Sequence, residues 1–170
     1  GENDATGPIL IPQVSHSWLA WQLADHWGNR RHARPRPRAE VLAAVLLHDT
    51  GWGAFDRDPG IDEAGRPRTF DRMPVPAHLE IWRTSVNQAA MHSRYAGLLV
   101  ANHFATLAGR KSRDLLNRSD IHNARAVESF TAEMKRHRSA WREMLALDAR
   151  YEISLDGPGW RTNSAILAAC

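Results

Sequence analysis

The sequence predicts an all-α domain built as an irregular helical bundle. Apolar residues recur at helical spacing along most of the chain, and residues typical of helix ends separate these segments. The sequence shows neither an internal repeat nor an alternating strand pattern of convincing length. A length of 170 residues with 43% hydrophobic residues suffices for one packed core, so residues 1–170 are expected to form a single domain.

The first two helices along the chain are predicted at Ser15–Trp27 and Pro37–Asp49. Ser15 is suited to the N-cap of the first helix and Gly28 to its end, while Gly51 follows the second helix. The second helix is apolar on almost every face, and proline is tolerated in its first turn. This pattern places the second helix in the centre of the domain.

Residues 53–78 are rich in Pro, Gly and Asp and are predicted to form a long loop. Loops of this length in a compact domain are usually functional lids or disordered segments. Phe55 and Phe70 favour packing over disorder. We therefore expect this segment to cover the functional site as a lid.

The rest of the chain is again helical in pattern, apart from "SLDGPGW", which is predicted to be a turn. The further helices predicted, in chain order, are 77–90, 93–107 with Gly109 as its stop, Ser119 or Asp120 to about Ala149, and Thr162 or Asn163 to the end of the chain at Cys170.

Composition bears on the environment and partners of the protein. The net charge is +3, and no segment approaches the roughly 18 apolar residues of a membrane span, so we expect no membrane partner. A single cysteine, Cys170, excludes a disulfide framework and fits a cytoplasmic protein. The arginine-rich run 30–38 could meet an anion, but such runs are more often solvated loops, and no nucleic-acid motif accompanies this one.

The nine histidines differ in the helical faces that they occupy. His16 lies on an apolar face of the first helix, His48 ends the buried second helix, and His103 lies on an apolar stripe of the fourth. His92 is eleven residues before His103, and eleven steps of about 100° come close to whole turns, so it is expected on the same face. A lone inward histidine is more often a hydrogen-bonded core residue, whereas several on different helices are typical of a metal site.

The doublet His48-Asp49 closes the apolar run "AAVLLHDTGW" and either caps the helix or provides ligands. An aspartate near a helix C-terminus opposes the macrodipole, and a buried carboxylate without a partner is costly. Neighbours on a helix point about 100° apart, so both reach one ion only at a helix end. Otherwise the two residues serve two ions, or one of them bridges. The combination favours a ligand role toward ions such as Zn, Fe or Mn, which bind imidazole and carboxylate.

With His16, "LLHDTGW" and His103 in this order, the sequence resembles the HD-domain superfamily of metal-dependent phosphohydrolases. More specifically, it is similar to an uncharacterised bacterial branch of HD-like proteins through "QVSH", "HDTGW", "GRPRTF" and "YAGLLVANH". The resemblance covers residues 8–108 and implies an HD-like helical bundle.

The resemblance also implies the residues of the site. His16, His48 and Asp49 would bind a divalent metal, with Mn, Fe, Mg, Zn and Ni not distinguished. His103 matches a further ligand of members with several ions, and Asp49 and His103 would take part in catalysis. His78 and His92 are two additional candidates for the site. The alternative for each is an ordinary core or surface role.

The implied activity is hydrolysis of a phosphorylated small molecule or nucleotide by metal-activated water. Trp52, Arg72 and Arg94 are candidates for the substrate site. Trp52 stands where many members carry a lysine and would shape the pocket, with core filling as the alternative. For the two arginines the alternative is an ordinary surface position. The pattern places a closing aspartate in the last helix at about Cys170. The alternatives are a non-catalytic HD-like module that binds a ligand or partner, di-iron oxygenase chemistry, and nucleic-acid binding. The oligomeric state stays open, a homodimer included.

Overall fold

The computed structural model describes residues 11–63 and 65–170, and this part of the chain is all-α, as predicted. It contains no β-strand, only an isolated bridge between Ile61 and Pro67. The first ten residues of the predicted domain, and Ala64 of the predicted lid, lie outside the described residues. The helices are α1 Gln13–Asp25, α2 Arg38–Leu47, α3 Gly53–Arg57, α4 Val75–His92, α5 Arg94–Asn117, α6 Ile121–Leu145, α7 Glu152–Leu155 and α8 Gly157–Ala168.

Helix α5 is the central element of the bundle. It packs along α4 and α6 and also contacts α2 and α8. Phe104 of α5 stacks on Trp82 of α4 at a ring-centroid distance of 5.1 Å, and Trp82 lies 5.6 Å from Phe130 of α6. Burial of a Phe or Leu side chain stabilises a fold by about 1.5–3 kcal/mol. These aromatic side chains therefore join three helices into one core.

Side-chain caps explain where the two longest helices begin. The Oγ of Ser93 accepts a hydrogen bond from the Ala96 N–H at 3.0 Å, and Asp120 accepts one from the Asn123 N–H at 3.2 Å. Each cap satisfies a backbone donor that the first turn leaves unpaired. The Ser93 hydroxyl also donates to Glu40 of α2 at 2.7 Å, which ties the start of α5 to α2.

The prediction that α5 stops at Gly109 is wrong, because the helix continues to Asn117. Gly109 keeps helical backbone, whereas a glycine that ends a helix usually adopts a positive φ. The chain reverses instead after Arg118, where Ser119 has a φ of 60°. The extension adds about two turns to the face of α5 that carries His103.

Two predicted helix starts are wrong. Helix α1 begins at Gln13 without a side-chain cap, so Ser15 is not its N-cap. The last helix begins at Gly157 rather than at Thr162, because Pro158 fits the first turn of a helix. The segment "SLDGPGW" therefore contains the end of α7 and the start of α8 rather than a turn alone.

Helix α1 packs against α2 through small residues. Ser17, Ala20 and Ala24 are buried, while Leu19 and Leu23 are 57% and 67% exposed. Helical spacing places Leu19, Leu23 and Trp27 on one apolar face with His16, and this prediction is wrong for the two leucines, whereas Trp27 is partly buried against the core. No helix within the described residues is long and apolar enough to cross a membrane.

The chain turns sharply after α2, at Gly51. The Gly51 N–H donates to the Ser85 hydroxyl of α4 at 2.9 Å. A Cβ at this position would collide with the carbonyl oxygen of Ile81 in α4. Only glycine permits so close an approach of two backbones, so Gly51 fixes the end of α2 against α4.

We expect Gly51→Ala to lower the free energy of unfolding by about 1–3 kcal/mol, because the new methyl group must displace the backbone of α4. Gly109→Ala is the matched control, since no atom lies within 4 Å of a Cβ there. This control should stabilise α5 by about 0.5–1 kcal/mol. Urea unfolding of the two variants measures both effects, and equal shifts would contradict the packing described for Gly51.

Candidate metal centre

The end of α2 presents the His48-Asp49 doublet. Helical backbone continues through His48, and Asp49 leaves it at φ −111° and ψ 13°. The Thr50 hydroxyl closes the turn by donating to the Leu47 carbonyl at 2.8 Å. His48 is 2% and Asp49 7% exposed. The doublet thus lies at a helix end, the geometry in which neighbouring side chains can face one point.

His16 approaches the doublet from α1. Its Nε2 lies 4.0 Å from Oδ2 of Asp49, and its ring centroid lies 5.8 Å from that of His48. One ligand atom from each of these three residues lies within 4.8 Å of the other two. We name this group, His16, His48 and Asp49, the His-His-Asp cluster.

The hydrogen bonds of His48 define which of its nitrogens faces the cluster. Nδ1 lies 2.6 Å from the Val45 carbonyl oxygen and must donate to it, since the carbonyl can only accept. Nε2 lies 3.1 Å from Oδ2 of Asp49. In the neutral ring this places a nitrogen lone pair opposite a carboxylate oxygen, an arrangement that needs a proton or a cation between them. The donor set therefore fits a metal ion.

The pKa of His48 reflects the same geometry. Burial alone would lower this pKa, but the hydrogen bond and the charge of Asp49, with the Val45 carbonyl, together raise it above 6.5. Without a metal ion the imidazole thus tends to hold a proton toward Asp49. A metal ion must displace that proton, because only neutral imidazole binds metals.

His103 of α5 lies next to the cluster. Its ring centroid is 5.6 Å from that of His48, with the rings edge to face. Burial, followed by the charge of His48, lowers the pKa of His103 to about 4. His103 is therefore neutral at physiological pH, but it does not belong to the group of three ligand atoms that converge.

The His-His-Asp cluster and His103 line a cavity of about 1030 Å³. Other parts of its wall come from α5 and from the predicted lid, including Phe55, Arg68 and Phe70. This segment is more regular than predicted, because it begins with α3 and contains a short 3-10 turn at Phe70–Arg72. It nevertheless contributes to the wall, which is the location expected of a lid.

His78 also reaches the cavity, from α4. Its ring is packed edge to face between Trp52 and Trp82, at centroid distances of 5.1 and 4.6 Å. Burial, followed by the positive charge of Lys111, lowers the pKa of His78 to about 4. Trp52 is only 3% exposed and forms the wall behind this histidine.

Three predicted site residues do not reach this cavity. Arg72 is exposed and faces Asp62 at 3.7 Å. His92 and Arg94 are also exposed and line a separate shallow pocket. His92 does not share a face with His103, because α4 ends at His92 and Ser93 breaks the helix between them.

Four basic residues of the cavity wall were missed: Arg68, Arg110, Lys111 and Arg118. The last three follow His103 at seven, eight and fifteen residues, so Arg110 and Lys111 lie on its face of α5, and Arg118 continues that face directly after the helix ends at Asn117. The prediction that the helix stops at Gly109 left these basic residues outside the helix, so they were not placed on the face of His103.

Cys170 also lines the cavity, just beyond α8. Burial, together with the negative charge of Asp49, raises the pKa of its thiol to about 11. Cys170 is not one of the residues whose ligand atoms converge in the cluster. The residue at the position of the expected closing aspartate therefore faces the site but adds no ligand to it.

A family model described as a protein of unknown function, DUF3891, matches residues 2–162. The chain belongs to the DUF3891 family. No curated protein and no solved structure matches it. The DUF3891 match contains the whole His-His-Asp cluster and His103, but its description assigns no activity and does not link the chain to the HD-domain superfamily. That relationship stays a prediction.

Acid should destabilise the metal-free protein through His78 and His103. Both have a folded-state pKa of about 4, while an unfolded histidine titrates near 6.5, so the unfolded chain binds more protons between these values. The free energy of unfolding should fall with decreasing pH in this window, by up to about 1.4 kcal/mol per pH unit for each histidine.

Urea unfolding between pH 4 and 7 tests this dependence. His78→Gln should flatten the slope, whereas His122→Gln on the exposed surface of α6 should leave it unchanged. An unchanged slope in His78→Gln would show that His78 takes up its proton while still folded.

Proposed function

We propose that this chain is a metal-dependent phosphohydrolase that acts on a small phosphate ester or nucleotide. The observation that carries the proposal is the convergence of two imidazoles and a carboxylate in the wall of a large cavity. The resemblance to the HD-domain superfamily supports the same activity. The cavity of about 1030 Å³ is of the size that accommodates small ligands.

We assign the His-His-Asp cluster as the metal ligands and His103 as an additional ligand or a group that contacts the attacking water. The mixed nitrogen and oxygen set suits Zn, Fe or Mn, and does not separate these from Mg or Ni. His48 is oriented for this role by the Val45 carbonyl, which holds Nδ1 and leaves Nε2 for the ion.

A bound divalent ion supplies two effects here, a lowered pKa of bound water and a polarised phosphoryl oxygen. The residues around it position the reactants. Asp49 would hold the ion, while neutral His103 would accept a hydrogen bond from the attacking water, take its proton and return it to the leaving oxygen. Phe55 and Phe70 of the lid segment line the cavity, and Phe70 is 54% exposed, so these side chains would shield the reaction from water only with a ligand packed against them.

Metal binding is the first test. Protein purified from cells grown with added metal should contain an ion in stoichiometric amount, and His48→Gln or Asp49→Asn should each weaken its affinity by at least about 100-fold, because each removes a ligand. His122→Gln and Asp58→Asn change the same residue types at exposed positions and should bind the ion normally. Metal analysis and calorimetric titration with Mn²⁺ and Zn²⁺ give the answer.

A metal content that is unchanged in both cluster variants would refute the assigned ligands. Circular dichroism of each variant separates loss of the site from loss of the fold.

Hydrolysis is the second test. The metal-loaded protein should release phosphate from a member of a panel of phosphate esters and nucleotides, and His103→Gln should lower kcat by about 10²–10⁴-fold. His92→Gln is the matched control, because His92 lies outside this cavity. A stoichiometrically loaded protein that hydrolyses none of the panel would contradict the proposed activity.

One observation favours a second candidate, a non-catalytic module that binds a phosphorylated ligand. Trp52 directly follows the Gly51 turn and is buried, so no cation extends from that position to a bound phosphate. Ligand binding with stoichiometric metal and without hydrolysis would support this candidate.

A further inference from the structure

The face of α5 beyond His103 continues along the cavity with basic side chains. Arg110, Lys111 and Arg118 all line it, and Arg68 joins them from the lid segment. At a rise of 1.5 Å per residue, the Cα atoms of Lys111 and Arg118 lie about 12 and 22 Å along the helix from His103. The cations therefore extend well away from the His-His-Asp cluster.

Lys111 is the most enclosed of these cations. It is half-buried, and its Nζ donates to Nδ1 of His78 at 3.4 Å. Burial lowers the pKa of Lys111, with a smaller opposing effect from Asp114. A neutral imidazole gives the ammonium group an acceptor but no compensating charge.

Carboxylates do not neutralise this group of cations. Among the described side chains, none of the four forms an ion pair with an acidic residue. The cavity wall also carries three carboxylates, those of Asp49, Asp56 and Asp114, so its four cations exceed its carboxylates by one. Asp49 belongs to the cluster, and Asp56 accepts the Val14 N–H at 3.1 Å rather than pairing with one of the four cations.

We propose that Lys111, Arg110, Arg118 and Arg68 form a second anion-binding subsite, so that the substrate carries at least two anionic groups. This inference rests on the proposed function, in which the first anionic group is the reacting phosphate at the His-His-Asp cluster. Lys111 binds next to that phosphate, and Arg118 binds the distal end of the ligand. The cavity thereby selects an elongated, multiply charged phosphate compound over a simple monophosphate ester.

The test uses metal-free protein and two inorganic probes, orthophosphate and tripolyphosphate, titrated by calorimetry at fixed ionic strength. Tripolyphosphate should bind at least about tenfold more tightly than orthophosphate, because it reaches more of the cations. Lys111→Met should weaken binding of both probes by about tenfold or more, and Lys111→Arg should restore most of it. Arg118→Met should weaken the binding of tripolyphosphate and leave the affinity for orthophosphate unchanged.

Lys135→Met and Arg136→Met are the matched controls. Both residues are exposed on α6, and each variant removes the same charge from the chain without changing the cavity. Cavity variants that bind tripolyphosphate as tightly as these controls, while keeping the wild-type unfolding midpoint, would overturn the subsite.

The experiment separates this inference from the proposed function. Asp49→Asn should lose metal and hydrolysis but retain metal-free tripolyphosphate binding. If the wild-type protein neither binds metal nor hydrolyses esters yet shows the Lys111-dependent binding, the proposed function fails and the subsite stands. If hydrolysis occurs and Lys111→Met leaves kcat and KM unchanged for every substrate, the subsite fails and the proposed function stands.

Discussion

The close contact between Gly51 and α4 is the constraint on which the candidate centre depends. It holds the end of α2 against the backbone of Ile81, where no side chain could fit. Helix α4, which contains Ile81, also carries His78 and Trp82 of the cavity wall. One contact therefore fixes the position of the His48-Asp49 doublet relative to that wall. Protein interiors are closely packed, so the backbone cannot shift at this contact without displacing its neighbours. The positions of His48 and Asp49 therefore follow from backbone packing rather than from the polar residues themselves.

Helix α5 contributes the second constraint, because it connects the core to the whole length of the cavity. Its first half is buried between its neighbours, with Phe104 against Trp82. Its second half carries Lys111 along the cavity wall, and Arg118 follows directly after the helix. Since one rigid helix holds both halves, the spacing between His103 and the basic groups is fixed by helical geometry.

Helical periodicity predicted the fold class. The resemblance to the HD-domain superfamily implied that His16, His48 and Asp49 lie together, and their ligand atoms do converge in the structure. Periodicity alone does not explain this convergence, because it placed Leu19 and Leu23 on the same buried face as His16, and both are exposed. Prediction from the sequence also failed where a local signal was ambiguous. Gly109 is a helix breaker by propensity, but packing against α6 overrides a cost of about 1 kcal/mol. Arg72 and Arg94 were chosen by proximity in the sequence, which says nothing about which way a loop or a helix end faces.

The small residues under α1 have a consequence for how the centre opens. Ser17, Ala20 and Ala24 bury little apolar area, and Trp18 and Leu23 leave most of theirs in solvent, so Trp21, which is partly buried against the core, is the main large apolar anchor of this helix. Segments of this kind unfold locally at a lower free energy than the core and exchange their amide hydrogens sooner. His16 is the sole member of the cluster on α1. An ion held by all three ligands would thus fasten a loosely attached helix to the body of the protein, and its release would free that helix as a unit.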